Sequence, residues 1–190
     1  MKKIDFNKPA KELAKDLIGK VICYNGKKYM ITVTEAYPFD EGKDAKGKEI
    51  SYVNKYKKGS KGHDALVGED KIGDGFVYAG MLHIACKGGY RDGETEYKCD
   101  NVLIRGGVCV DDNNELQIVD NRLSFENGKP YKLCCTLLKI PKDFCDIAES
   151  IIKDFQSFDK KYINQTKRIN VDSNNEYRYY LDLNELKGNN

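Results

Sequence analysis

The chain has 190 residues, of which 40% are hydrophobic and 33% charged, and a formal net charge of +2. This length suits one core, and we expect residues 1–190 to form a single domain. No apolar run approaches the roughly 18 to 20 residues that span a bilayer, and the lysine-rich start is too polar for a signal peptide, so we expect a cytoplasmic protein, nucleoid-associated if bacterial, that does not act in a membrane.

The first predicted elements are a helix and a hairpin. Apolar residues recur at helical spacing after Pro9, which predicts a helix over 9–17. An Asn25-Gly26 turn between two β-branched runs predicts a hairpin with strands over 21–24 and 29–34. The alternation stops near Glu35, and residues 40–62 read as a lysine-rich loop.

Strands are then predicted around residues 75–86, 102–110 and 116–119, separated by Gly, Asp and Asn clusters. Two further helices are predicted over 129–138 and 143–155, the second from an apolar stripe at helical spacing. The end of the chain reads as strand, turn and strand. This order predicts an α+β fold with a mainly antiparallel sheet and flanking helices.

Charge is distributed unevenly along the chain. Residues 1–62 hold 15 lysines against 8 acidic residues, whereas residues 63–190 hold 17 lysines and arginines against 22 acidic residues. A basic segment of this kind suits contact with phosphates, although a solvated loop is the simpler interpretation.

The cysteines and histidines do not form a metal motif. Seven cysteines are an odd number, no C-x-x-C occurs, and only two histidines are present. Reduced, mostly buried thiols are the favoured interpretation. We therefore do not expect a zinc site.

Short motifs follow one another from about residue 9 to residue 180. They are "LIGKV" at 17–21, "VTEAY" at 33–37, "GFVY" at 75–78, "NVLIR" at 101–105, "KLC" at 132–134, "RINV" at 168–171 and "YRYY" at 177–180. In this order they resemble the motifs of the methylpurine-DNA glycosylase family, the 3-methyladenine DNA glycosylases of the alkyladenine type. The resemblance implies a curved sheet like that of the formyltransferase C-terminal domain.

The resemblance also implies a site. Family members hydrolyse the bond between sugar and damaged base after flipping the nucleotide out of the duplex. Glu35 matches the catalytic acid that activates water, Tyr37 and Tyr78 match residues that stack on the base, and Arg105 matches an arginine near the DNA-facing site. Without the resemblance these would be a solvated glutamate, core aromatics and a surface ion pair.

The sequence departs from the family at several positions. Lys46 stands where the family has a histidine that packs on the base. One family hairpin supplies a wedge residue, which fills the gap left by the flipped nucleotide, and an asparagine that screens the base. An ungapped match puts Met81 at the wedge and Gly88 at the asparagine, whereas a shifted match puts Ala79 at the wedge.

The loop lysines are expected to contact DNA phosphates, namely Lys48, Lys55, Lys57 and Lys58.

We therefore predict a monomeric, monofunctional DNA glycosylase of base-excision repair that acts on double-stranded DNA containing an alkylated purine. Such a reaction is expected to need no metal and no cofactor. Three alternatives remain open: a relative with lost or altered chemistry, a nucleic-acid-binding module without a catalytic pocket, and an enzyme of the same fold acting on a small substrate. Lys46 near Glu35 also leaves room for an amine-based lyase step, which a solvated lysine would perform poorly.

Overall fold

A computed structural model of the chain describes residues 3–42, 46–48, 56–110, 116–117, 133–155, 160–168 and 175–182. The α-helices are α1 Ala10–Asp16, α2 Lys61–Asp64, α3 Leu133–Leu138 and α4 Ala148–Ile151, with 3-10 turns at Glu69–Lys71 and Lys160–Tyr162. The strands are β1 Val21–Tyr24, β2 Lys27–Tyr37, β3 Asp74–Tyr78, β4 Met81–Gly89, β5 Lys98–Val110, β6 Leu116–Gln117, β7 Cys145–Ile147, β8 Ile152–Lys153, β9 Ile163–Thr166 and β10 Arg178–Leu181.

All these strands belong to one curled antiparallel sheet. Its main path runs β7-β3-β4-β5-β2-β1-β8, with β10 beside β2, β9 beside β10 and β6 beside β5. The predicted α+β fold with a curved, mainly antiparallel sheet is therefore confirmed. Among the described residues, no helix is both long and apolar enough to cross a membrane.

Strand β2 lies at the centre of the sheet, and the register of its pairing with β5 shifts partway along the strand. Its pairing with β5 is interrupted between Ile31 and Thr34, as expected for a β-bulge. Beyond the bulge the Thr34 hydroxyl donates to the Ala14 carbonyl of α1 at 2.8 Å, and Ala36 packs into the same core. Because side chains alternate along a strand, Glu35 and Tyr37 lie on the face opposite α1.

The main core lies between the sheet and the helices α1, α3 and α4. The buried Asp100 of β5 connects α1 to the sheet. It accepts hydrogen bonds from the backbone N–H of Ala10 at 2.9 Å and of Phe39 at 2.8 Å. One carboxylate therefore caps the first helix, whose own start lacks a side-chain cap, and also holds the chain that leaves β2.

The predicted helix over 143–155 is wrong. Only Ala148–Ile151 is helical, while Cys145–Ile147 pairs with β3 and Ile152–Lys153 pairs with β1. The apolar stripe does not form one buried face, since Ile147 is 58% exposed. Pairing with two sheet edges satisfies the backbone on both sides of the short helix, and this tertiary contact overrides the helical spacing.

Other elements agree in kind but differ in extent. The predicted first helix and the Asn25-Gly26 hairpin are confirmed. The segment 75–86 is two strands joined by Ala79 and Gly80, both with positive φ, rather than one. Helix α3 lies within the predicted 129–138, whose first four residues lie outside the described chain. Strand β9 begins earlier than the predicted terminal strand.

Candidate active site

The candidate site is built around Glu35, whose side chain is fully buried. The hydroxyl of Tyr37 donates to its Oε2 at 2.8 Å. On the other carboxylate oxygen, Oε1, the Nε atoms of Arg105 and Arg178 lie at 3.3 and 3.9 Å. A carboxylate in the middle of the sheet is thus enclosed by one phenol and two guanidinium groups.

Sheet register explains why these side chains meet. Tyr37 follows Glu35 by two residues, so both lie on one face, as the sequence predicted. Arg178 of β10 is the direct cross-strand partner of Glu35, and Arg105 lies two residues beyond Leu103, its partner in β5. Four side chains from three segments distant in sequence therefore converge on one face of the sheet.

Two sequence expectations are corrected here. The strand does not stop before Glu35 but continues to Tyr37, and the acid is not a solvated glutamate but is buried within the sheet. Arg105 is not a surface ion pair, since it is itself buried against Glu35. Burying charges in a protein carries a desolvation penalty, which their mutual attraction must offset. The attraction is large enough only when the charged groups lie close together, as Glu35 and Arg105 do here.

Burial shifts the pKa values of two neighbours of Glu35. Burial, together with the adjacent Glu35, raises the pKa of Tyr37 far above its ordinary value. Burial also lowers the pKa of Arg178, while Glu35 opposes that change. Tyr37 therefore keeps its proton at neutral pH and donates a hydrogen bond to Glu35. It can orient the carboxylate, but it cannot itself accept a proton.

A second buried ion pair supports the ring of Tyr37. Arg168 donates to both carboxylate oxygens of Glu41, at 2.7 and 2.5 Å, and to the Ala36 carbonyl at 2.8 Å. Its guanidinium lies 4.6 Å from the centre of the Tyr37 ring, within the range of a cation–π contact. A base that stacked on Tyr37 would therefore use the ring face that Arg168 leaves open.

The β3–β4 hairpin lies beside this cluster. Its turn residues are Ala79 and Gly80, so Tyr78 and Met81 stand opposite each other at the ends of the two strands. Met81 is partly buried, with its sulfur 3.7 Å from Arg105 Nη1, while Tyr78 is 36% exposed. The exposed aromatic at this end of the hairpin is Tyr78, and its ring packs edge-on at 4.8 Å against Tyr56.

His83 and Asn101 complete the same face of the sheet. His83 and Glu35 are both register partners of Leu103, one on each side of it. The His83 Nδ1 lies 3.1 Å from Asn101 Oδ1, and the imidazole stacks on Phe76 with ring centres 5.2 Å apart. Burial lowers the pKa of His83 to about 4, so the imidazole is neutral at physiological pH.

Gly88 is not brought to this cluster. It lies five residues along β4 from His83, about 16 Å of extended strand, where a side chain would meet the Lys98 carbonyl oxygen at 1.8 Å. The close approach of two backbones requires glycine there. Its N–H donates to the Tyr97 hydroxyl at 2.9 Å.

The lysines of the predicted DNA-contacting loop are exposed where the structure describes them, at positions 46, 48, 57 and 58. Lys55 lies outside the described residues. Lys58 is 3.5 Å from Glu96, both at the surface, where an ion pair contributes little to stability. Lys46 therefore provides an exposed charge rather than a buried surface for a base.

Sequence reasoning missed Arg168, Arg178, His83 and Asn101 as members of this arrangement. A signal was available: each is polar within or beside a strand-like apolar run, and His83 interrupts the segment between Leu82 and Ile84. Which of these residues would meet depended on strand register, which short motifs do not specify.

Two further features help to delimit the site. Within the described part of the chain, no group of three or more His, Cys, Asp or Glu side chains could hold a metal ion. A cavity of about 720 Å³ opens elsewhere, between the β3–β4 turn and the end of α3, and its lining includes Gly80, Cys135, Lys139 and Lys142 but not Glu35.

Comparison with models of known protein families gives no match, and comparison with curated proteins gives none. The likeness of the sequence motifs to the methylpurine-DNA glycosylases therefore stays a hypothesis.

Proposed function

We propose that the protein is an alkylpurine DNA glycosylase that acts as a monomer on double-stranded DNA. The observation that carries the proposal is Glu35: a fully buried carboxylate at the centre of the sheet, oriented by Tyr37 and flanked by Arg105 and Arg178. Charge clusters whose members have shifted pKa values, as Tyr37 and Arg178 have here, concentrate at functional sites.

In the proposed reaction Glu35 removes a proton from a water molecule that attacks the anomeric carbon, and the bond to the base breaks with its electrons passing to the base. An alkylated purine whose ring is already cationic accepts those electrons without prior protonation. Tyr37 and Arg105 hold the carboxylate in one orientation.

The same geometry favours one alternative, a relative that binds nucleic acid without this chemistry. Two guanidinium groups beside one carboxylate leave the cluster with a net positive charge, which opposes the positive charge that develops on the sugar. A positive cluster with exposed lysines at 57 and 58 would still suit phosphate binding.

An assay of base release distinguishes the glycosylase from the nucleic-acid-binding relative. Purified protein is incubated with methylated duplex DNA, and released bases are measured by chromatography. Wild type should release base, and Glu35→Gln should reduce the rate by about 10²- to 10⁴-fold, the usual contribution of a general base. Asp100→Asn is the matched control, since it makes the same change to a buried acid that only holds backbone N–H groups.

Thermal unfolding of all three proteins establishes that each is folded. Tight DNA binding by the wild type with no base release would overturn the glycosylase proposal in favour of the binding protein. Equal release by wild type and Glu35→Gln would remove Glu35 from the reaction.

A further inference from the structure

The cavity between the β3–β4 turn and the end of α3 has no part in the reaction proposed above. Its volume of about 720 Å³ lies within the range of small-molecule binding sites. Val77 of its lining packs into the main core, so the cavity lies on the helix side of the sheet, opposite to the face that carries Glu35.

The lining of this cavity combines an apolar wall with two cations. Val77, Ile140 and Pro141 form the apolar part, and Lys139 and Lys142 are the charged residues. Among the described residues of the lining none is acidic, and neither lysine has an ion-pair partner in the described part of the chain.

A third ammonium group lies beside the cavity. Lys61 Nζ donates to the carbonyl oxygen of Lys142 at 2.6 Å. Asp143, the next residue along the chain, is exposed and is not among the lining residues. The charge around the cavity therefore favours an anion.

Lys139 occupies a backbone position that usually belongs to glycine. Its φ is 55°, and the N–H of Ile140 after it donates to the Cys135 carbonyl oxygen at 3.0 Å. This bond closes a helix whose following residue is left-handed, and glycine is usual there because a Cβ is strained in that conformation. A lysine at this position therefore costs free energy and brings a positive charge to the cavity.

Ala79 shows the same strain in the β3–β4 turn. Three described non-glycine residues have positive φ, and two of them, Ala79 and Lys139, line this cavity. The third, Asn25, belongs to an Asn-Gly turn, where asparagine is common. Strained backbone of this kind is concentrated at ligand sites, so its position here supports a binding role.

We propose that this cavity binds a small organic anion, whose apolar ring body contacts Val77, Ile140 and Pro141 and whose acidic group pairs with Lys139 and Lys142. The acidic group can be a carboxylate, a sulfonate or a phosphate, because a lysine ammonium is a point charge that does not select among them by shape. Removing the cations should weaken binding of the anion and spare a neutral analogue. This site is independent of the proposed glycosylase function.

The first experiment compares an anionic probe with its neutral analogue by fluorescence titration. The probes are 8-anilinonaphthalene-1-sulfonate and N-phenyl-1-naphthylamine, which has the same ring body without the sulfonate. Lys139→Gln and Lys142→Gln should each weaken sulfonate binding about threefold, as expected for exposed charge pairs, and leave binding of the neutral probe unchanged.

Lys87→Gln is the matched control. Lys87 is an exposed lysine of β4, seven residues from Gly80, or about 23 Å of extended strand. Its replacement removes the same charge and should change the binding of neither probe.

Lys139→Gly separates binding from folding. Glycine relieves the strain at the end of α3, so the midpoint of thermal unfolding should rise by about 2 °C. Sulfonate binding should weaken about threefold in the same protein. A residue with only a structural role would not combine these two effects.

The second experiment locates the bound probe by its effect on alkylation with iodoacetamide. Cys135 lines the cavity, and a hydrogen bond from the Cys134 thiol lowers its pKa, which favours the reactive thiolate. Trypsin separates its peptide, 133–139, from peptide 143–153, which carries the exposed Cys145. At ten times its dissociation constant the sulfonate should slow alkylation of Cys135 about tenfold and leave Cys145 unaffected.

Four results would overturn the proposal. They are absence of saturable sulfonate binding, an equal loss in the Lys87→Gln control, an equal loss of the neutral probe in the cavity variants, and sulfonate binding that leaves Cys135 unprotected. Protection of Cys135 by a short DNA duplex but not by the sulfonate would replace the small anion with a DNA phosphate. Since none of these measurements uses base release, their outcome is distinct from that of the glycosylase assay.

Discussion

The polar face of the sheet is unusual because its side chains are charged and yet enclosed. Glu35, Arg105, Arg168 and Arg178 are each less than one tenth exposed. Removing Glu35 takes away the carboxylate that Arg105 and Arg178 share, and removing Arg168 takes away the guanidinium that Glu41 binds. Breaking a buried pair in this way commonly costs about 3 to 5 kcal/mol, and these residues therefore link the proposed chemistry to the stability of the fold.

The buried imidazole of His83 gives a prediction about acid stability. Its pKa falls from 6.5 in the unfolded chain to about 4 in the folded protein. Between these values the unfolded chain binds the proton and the folded protein does not, so stability is full above about pH 6.5 and is lost as the pH falls towards 4. The full shift corresponds to about 3 kcal/mol.

Urea unfolding at pH 7 and pH 4.5 tests this contribution in wild type and His83→Phe. Asp100 acts in the opposite direction, since burial raises its pKa to about 6 and acid therefore favours its folded form. The quantity of interest is thus the difference between the two proteins, and wild type should lose more stability on acidification. Identical losses would contradict the expected role of His83.

At the scale of elements, the β2–β5 pairing depends on two adjacent glycines. A Cβ on Gly107 would lie 2.1 Å from the Met30 carbonyl oxygen and 2.5 Å from the Tyr29 ring, whereas one on Gly106 would meet a Val33 methyl group at 3.1 Å. The backbone oxygen cannot withdraw without breaking the strand pairing. The methyl group can yield by a few tenths of an ångström.

Gly107→Ala should therefore destabilise the protein by about 3 kcal/mol or more, and Gly106→Ala by about 1 kcal/mol. Chemical denaturation of both variants checks the difference. Equal losses would show that the sheet adjusts at the bulge as easily as a side chain does.

The elements also show what local sequence can specify. The Asn25-Gly26 turn was predictable, because both residues tolerate positive φ and a two-residue hairpin needs it. The Ala79-Gly80 turn was missed, since alanine rarely adopts φ near the 51° found here. The failed helix over 143–155 has a different cause: pairing of its flanks with β3 and β1 is a long-range contact that spacing cannot reveal.

At the scale of the whole molecule, the exposed lysines should govern how affinity for DNA depends on salt. Replacing Lys57 and Lys58 by glutamine should reduce the slope of log affinity against log salt by about 2, if each neutralises one phosphate. Fluorescence anisotropy with duplex DNA at several salt concentrations measures this slope.

The control replaces Lys27 and Lys28, which lie at the start of β2, roughly 23 Å of strand from Glu35. This pair should leave the slope unchanged. Equal effects from both pairs would mean that the lysines act only through net charge.

Part of the candidate site was predictable from the sequence. Glu35, Tyr37 and Arg105 were named from motifs, and the two-residue spacing correctly placed the first two on one face. Arg178 could not be assigned to Glu35, because the pairing of β10 with β2 is set by the three-dimensional sheet. Sequence motifs thus identified residues, while the fold determined their partners.

The pairing of β10 with β2 also bears on the order of events during folding. Arg178 follows Glu35 by most of the chain's length, and such high contact order slows folding because a long loop must close first. Until that closure, Glu35 lacks one of its cations and the edge of β2 beyond the bulge is unpaired. Refolding should therefore produce native-like hairpins before a competent site, and activity should return later than secondary structure.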